Sequence, residues 1–134
     1  MKSRIELADE LYQGGCNCCQ AVFAAYNDET ALSRENALKL GATFGGGVAG
    51  MGQTCGALCG ALMALAQREG DDGSDAQKKE ATREKLQAFA REFETNFGSC
   101  LCSDIRSQAP ERADGKKPCT LYVDYCAKTM DKLI

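Results

Sequence analysis

The chain has 134 residues, of which 44% are hydrophobic and 26% charged, as is typical of one globular domain with its own core. Its formal net charge of −3 argues against nucleic acid or an anionic membrane surface as a partner, because both are negatively charged. Nine cysteines and no histidine exclude Ser-His-Asp and Cys-His catalytic sites and two-histidine zinc fingers. We therefore expect the chemistry of this protein to be sulfur chemistry.

The start of the chain indicates where the protein resides. Residues 1–13 mix charged and apolar positions at helical spacing and lack the apolar stretch of a signal peptide, so we expect a cytoplasmic protein. The longest apolar run, Cys55 to Ala66, is shorter than the roughly 20 residues of a transmembrane helix, so we expect no membrane insertion. In a reducing compartment the cysteines would serve transient redox chemistry or bind zinc or an iron–sulfur cluster, not form a permanent disulfide scaffold.

Helical periodicity dominates the chain, and no segment alternates like a strand, so the sequence predicts an all-α, single-domain bundle of about five to six helices over residues 1–134. A first helix over residues 1–13 ends at a glycine pair. A second begins after Asn17, which together with Gln20 resembles a capping box. A third begins after the N-cap Ser33 and runs to Phe44, where three glycines break it and open a loose hinge over residues 45–52.

Three further helices and a short turn are predicted in the second half of the chain. A fourth helix runs from Cys55 to about Arg68. Small residues at intervals of four give it a flat face that another backbone can approach closely; they are Gly56, Gly60 and Ala64. A long fifth helix is capped by Asp75 and ends at Gly98, and a short helical turn follows Ser99. Pro118, a residue favoured in the first turn, opens the last helix.

The cysteines fall into four clusters, and each cluster has a member at or near a predicted helix start. The clusters are Cys16, Cys18 and Cys19; Cys55 and Cys59; Cys100 and Cys102; Cys119 and Cys126. We expect Asn17 to precede Cys18, Thr54 to cap Cys55, Ser99 to cap Cys100, and Pro118 to place Cys119 in a first turn. The N–H groups at a helix start stabilise an anion and lower the pKa of a thiol, which would replace the missing imidazole.

These placements separate candidate reactive cysteines from candidate packing cysteines. Placement at a helix start favours a functional role for Cys18, Cys55, Cys102 and Cys119. Cys59 and Cys126 lie within apolar stripes, which favours simple packing. If the four helix starts converge, they would form a pocket suited to several thiolates or to a negatively charged cluster. Cys16 and Cys19 have the Cys-x-x-Cys spacing, but no second pair with this spacing occurs, so the paired sequence signal of structural zinc is absent.

With these residues in view, the chain resembles the C_GCAxxG_C_C family of redox-active proteins, which carry four characteristic cysteines and a Cys-Gly-Ala-x-x-Gly motif. That motif is Cys55-Gly56-Ala57-Leu58-Cys59-Gly60 in this sequence. The resemblance assigns the first family cysteine to Cys18, the third to Cys102 with Cys100 as the alternative, and the fourth to Cys119. It spans nearly the whole chain.

The resemblance implies a redox-active protein, and two mechanisms remain open for its four-cysteine site. Cys18, Cys55, Cys102 and Cys119 would either exchange disulfides with an unidentified redox partner protein or hold an iron–sulfur cluster for electron transfer. The alternative function is a structural zinc module without redox activity, in which the same four cysteines close a tetrahedral site. In a further alternative the cysteines only pack.

Overall fold

The computed structural model describes residues 2–134, and within that range it contains seven α-helices, one short 3₁₀ segment and no β-strand. The all-α prediction is confirmed, and a four-residue helix at residues 102–105 brings the count above the expected five to six. Within residues 2–134, no helix is both long enough and apolar enough to cross a membrane. The helices are α1 (Arg4–Gln13), α2 (Cys18–Ala25), α3 (Arg34–Gly41), α4 (Gly56–Glu69), α5 (Ala76–Phe97), α6 (Cys102–Ile105) and α7 (Thr120–Leu133), and the 3₁₀ segment is Asn27–Glu29.

Local capping residues set several of the helix ends, as predicted. The Asn17 side chain accepts a hydrogen bond from the Gln20 N–H at 2.7 Å, and the Gln20 side chain accepts one from the Asn17 N–H at 2.9 Å. The Ser33 side chain accepts from the Asn36 N–H at the start of α3, the Asp75 side chain accepts from two N–H groups at the start of α5, and Gly98 ends α5 in the left-handed conformation. These bonds satisfy N–H groups that have no partner inside the helix.

Helix α2 lies at the centre of the fold and packs against α1, α3, α4 and α7. Its approach to α4 is so close that a Cβ added at Gly60 would lie 2.9 Å from the Cys19 carbonyl oxygen. The predicted flat face of α4 is confirmed, since Gly56, Gly60 and Ala64 are all buried. Small residues therefore bring the starts of α2 and α4 together.

The glycine-rich connection between α3 and α4 differs from its prediction. Helix α3 ends at Gly41, before Phe44, and every residue from 46 to 50 has a positive φ, including Val48 at 62° and Ala49 at 53°. The connection is a hydrogen-bonded left-handed turn, with the Gln53 N–H donating to the Gly47 oxygen at 2.8 Å. The loose hinge was therefore a wrong prediction, because glycine permits a left-handed path in which backbone groups find partners.

Candidate functional site

The four predicted site cysteines meet at one small cavity. Cys18, Cys55, Cys102 and Cys119 line it, and its wall is completed by Ile105, Arg106 and Tyr122. The cavity has about 20 Å³ of free volume, enough for one water-sized group. Cys100 does not line the cavity, so at this site the structure favours Cys102 over the alternative that the sequence left open.

Each of the four cysteines stands at a helix start, although not always as predicted. Cys18 and Cys102 are the first residues of α2 and α6, whereas Cys55 and Cys119 occupy the N-cap positions of α4 and α7.

The predicted cap at Thr54 was wrong because Cys55 takes the N-cap position itself, its N–H donating to the Cys100 oxygen at 2.8 Å. The predicted Ser99 cap of a helix at Cys100 was also wrong: the Ser99 hydroxyl accepts from the Leu101 N–H at 3.0 Å, and α6 begins at Cys102 with Leu101 as its N-cap. Pro118 lies in a turn just before α7.

Two glycines make room for two of the cysteines. A Cβ at Gly56 would lie 2.5 Å from Cys18 Sγ, and a Cβ at Gly47 would lie 2.7 Å from Cys102 Cβ. Gly47 also has a φ of 78°, which side chains with a Cβ rarely adopt. The left-handed turn thus serves the site, a role that sequence reasoning missed because the contact joins residues far apart in the chain.

The short helix α6 is held in place from both ends, since four residues are too few to be stable alone. At its start, the Cys102 N–H donates to the Gln53 oxygen at 2.7 Å, and the Ser103 N–H donates to the Gly52 oxygen at 3.1 Å. At its end, the Tyr122 hydroxyl donates to the Ile105 oxygen at 2.6 Å. These bonds position Cys102 at the cavity.

Burial dominates the electrostatics of the cavity thiols. It raises the pKa of Cys55 to about 12, against the opposing effect of hydrogen bonds from the backbone of Leu58 and Ala57. Burial also raises the pKa values of Cys102 and Cys119. The prediction that helix starts lower the pKa of these thiols was therefore wrong for all three, because the loss of hydration on burial is the largest effect at each of them.

Arg106 is a cation at this cavity that sequence reasoning missed. Its positive charge lowers the pKa values of Cys102 and Cys119, partly opposing burial. Across residues 2–134, no carboxylate lies within 4 Å of its guanidinium group. Its spacing of four residues from Cys102 was the available signal, since positions i and i+4 share one face of a helix.

The remaining five cysteines do not line the cavity. Cys19 and Cys126 are fully buried, which confirms the packing interpretation of Cys126. Cys59 is only half-buried and lies outside the hydrophobic core, so packing does not account for it. Cys16 and Cys100 are also half-buried.

The cavity as packed does not fit a metal centre. Among the described residues 2–134, no three cysteine, aspartate or glutamate side chains lie close enough together to hold a metal ion. An iron–sulfur cluster has several heavy atoms, whereas the cavity accommodates one water-sized group. The nine cysteines are free thiols.

Comparison with known proteins identifies one matching family. The model of the family described as "Putative redox-active protein (C_GCAxxG_C_C)" matches residues 16–133, a range that contains all four cavity cysteines. Neither a curated protein nor a solved structure matches the chain.

Proposed function

The chain belongs to the C_GCAxxG_C_C family, and we propose that it is a thiol–disulfide redox protein that reacts through Cys18, Cys55, Cys102 and Cys119. The observation that carries this proposal is the single cavity lined by all four thiols. Four thiols drawn from separate helix starts lie in one small space, where dithiol and disulfide states can interconvert without a cofactor.

Cys18 is the thiol best placed to react first. Cys18 and Cys119 are half-buried, whereas Cys55 and Cys102 are buried, so an incoming disulfide reaches the first two more easily. Of these two, Cys18 is the one whose Sγ lies against Gly56, the residue that follows Cys55. A negative charge on Cys18 raises the pKa values of Cys55, Cys102 and Cys119, so a Cys18 thiolate favours the protonated form of its neighbours. One thiolate at a time is the expected reactive state.

Cys55 is the proposed resolving thiol. Cys18 Sγ lies against Gly56, the residue that follows Cys55, and backbone hydrogen bonds from Leu58 and Ala57 partly oppose the burial that raises the pKa of Cys55. The Cys18 thiolate attacks one sulfur of a partner disulfide, forms a mixed disulfide and releases the first partner thiol. Cys55 then attacks Cys18 Sγ as a thiolate, the bond between Cys18 and the partner sulfur breaks, and the proton from Cys55 passes to that leaving sulfur, which departs as the second partner thiol. Two electrons pass to the partner, and the chain keeps a Cys18–Cys55 disulfide.

The proposal implies a partner and a compartment. The partner is a protein that carries an exchangeable disulfide, and we place both proteins in the cytoplasm, where the four thiols would begin reduced.

Disulfide mapping tests this function. Protein purified without oxygen is treated with glutathione disulfide, its remaining thiols are alkylated, and its peptides are analysed by mass spectrometry. We expect a Cys18–Cys55 disulfide in the wild type and in the core control Cys126→Ala, and its loss in Cys18→Ser. An unchanged thiol count after oxidation of the wild type would contradict the proposal.

Metal analysis and an absorption spectrum of the same anaerobic preparation supply the second measurement. We expect a colourless protein without stoichiometric metal. One zinc per chain would favour the structural zinc module, and brown protein with stoichiometric iron would favour an iron–sulfur electron carrier, so either result would overturn the thiol–disulfide proposal.

A further inference from the structure

Two further thiols, Cys59 and Cys100, lie beside the cavity and do not line it. Both are half-buried, and both adjoin the backbone of Cys55. The Cys55 N–H donates to the Cys100 oxygen at 2.8 Å, and the Cys55 oxygen accepts from the Cys59 N–H at 3.0 Å. The backbone of the cavity residue Cys55 is thus hydrogen-bonded to the backbones of both Cys59 and Cys100.

The Cys59 thiol adjoins the backbone just before Cys55, which pairs with the segment that contains Cys100. Its Sγ is 3.9 Å from the Thr54 oxygen, and Thr54 pairs with Leu101, the neighbour of Cys100. Burial, followed by negative charge on Cys18 and on Cys100, raises the pKa of Cys59 to about 11. Cys59 therefore has a cavity thiol as one electrostatic neighbour and Cys100 as another.

Cys100 faces the outer surface of the protein. Its Sγ lies 3.5 Å from the Ala90 oxygen on α5, and it lines an open groove of about 170 Å³ with Gln87, Ala90, Arg91 and Glu94. The four-thiol cavity is far smaller, at about 20 Å³. A sulfur of another protein can therefore reach Cys100 without entering the cavity.

We propose that Cys59 and Cys100 form a second dithiol couple that carries the disulfide from the cavity to this groove, where a reducing protein dithiol attacks it. This inference rests on the proposed function, because it begins from the Cys18–Cys55 disulfide. The Cys59 thiolate attacks Cys18 Sγ, the Cys18–Cys55 bond breaks, and Cys55 leaves as a thiolate that takes up a proton. The Cys100 thiolate then attacks Cys59 Sγ, and Cys18 leaves and is protonated.

The exchange is balanced without another oxidant. Cys59 and Cys100 lose two protons and two electrons, and Cys18 and Cys55 gain them, so one disulfide replaces another. A dithiol of the reducing partner then attacks Cys100 Sγ, takes over the disulfide and returns Cys59 and Cys100 to thiols.

A time course of disulfide mapping tests this relay. The full chain receives one equivalent of glutathione disulfide, and samples are quenched with acid and alkylated. In the wild type we expect the Cys18–Cys55 disulfide first and the Cys59–Cys100 disulfide later. In Cys100→Ser we expect the second disulfide to be absent. We also expect the rate of re-reduction by a thioredoxin-type dithiol protein to be at least tenfold lower in Cys100→Ser than in the wild type. The control Cys16→Ser removes another half-buried thiol and should be re-reduced at the wild-type rate.

The outcomes separate this inference from the function on which it rests. If Cys18–Cys55 forms but Cys59 and Cys100 remain alkylated as free thiols, or if Cys100→Ser is re-reduced at the wild-type rate, the relay is refuted and the proposed function stands. If Cys18–Cys55 never forms, both are refuted. Circular dichroism of each variant checks that it is folded.

Discussion

Gly56 couples the packing of the fold to the chemistry of the cavity, so Gly56→Ala is the most informative single substitution. The added Cβ would lie 2.5 Å from Cys18 Sγ, 2.8 Å from the Phe44 oxygen and 3.3 Å from the Cys19 nitrogen. The Cys18 side chain can rotate away, but the other two atoms belong to the backbone. The start of α4 must therefore move away from the Phe44 backbone and from α2 by several tenths of an ångström.

The expected cost of Gly56→Ala is that of overpacking a tight interface, about 1 to 3 kcal/mol in the free energy of unfolding. Replacing glycine by alanine inside a helix ordinarily stabilises by about 1 kcal/mol, but Gly56 is the first residue of α4, where this gain is small. The net effect is therefore destabilising. Because Cys18 Sγ is displaced as well, we expect the Cys18–Cys55 disulfide to form more slowly.

Urea unfolding and disulfide mapping measure these two effects, and Gly60→Ala is the matched control. Its Cβ would lie 2.9 Å from the Cys19 oxygen and 3.2 Å from the Phe23 nitrogen, in the same interface but against no sulfur. Both variants should lose stability, and only Gly56→Ala should slow disulfide formation. Equal disulfide rates in the two variants, or a Gly56→Ala protein as stable as the wild type, would refute this reasoning.

Three further predictions concern charge, pH and backbone strain. Arg106→Gln should slow alkylation of Cys102 and Cys119 about two- to fivefold at pH 8, because the cation that lowers their pKa values is lost. The control Arg112→Gln should leave the alkylation rates unchanged. Equal rates in the two variants would contradict a role for the Arg106 charge.

The free energy of unfolding, measured in urea, should fall between pH 9 and pH 12, because unfolded Cys55 loses its proton near 9.0 and folded Cys55 only at about 12. Cys55→Ala should remove up to about 4 kcal/mol of that fall. A wild type that is equally stable across this range would refute the assignment. Ala49→Gly should raise the free energy of unfolding by about 1 kcal/mol, because Ala49 is exposed and glycine adopts its positive φ without steric strain. A lower melting temperature of this variant would contradict the prediction.

Helix starts with a polar cap could be predicted from a few neighbouring residues. Asn17, Ser33 and Asp75 each satisfy N–H groups within three residues of themselves, so their effect does not depend on the rest of the fold. The prediction was less accurate at Cys55 and Cys102, where long-range backbone hydrogen bonds set the helix start. A local pattern cannot reveal a partner that lies some 50 residues away.

The thiol pKa values could not be predicted from position alone. A helix start lowers the pKa of an exposed thiol, and that rule led to the expectation of several low-pKa cysteines. Cys55 has the expected backbone hydrogen bonds, yet its pKa is raised to about 12 because its side chain is buried. Burial depends on every helix that covers the residue.

The sequence by itself determined the all-α fold, the capped helix starts and the four cysteines to compare, because periodicity and capping act over a few residues. Only the tertiary structure decided which thiols share a cavity, that Arg106 lies beside them, and that Gly47 and Gly56 make room for sulfur-bearing side chains. It also placed Cys59 and Cys100 beside the cavity and not in its wall. These features depend on the distance and burial of side chains brought together from different helices, which no local pattern specifies.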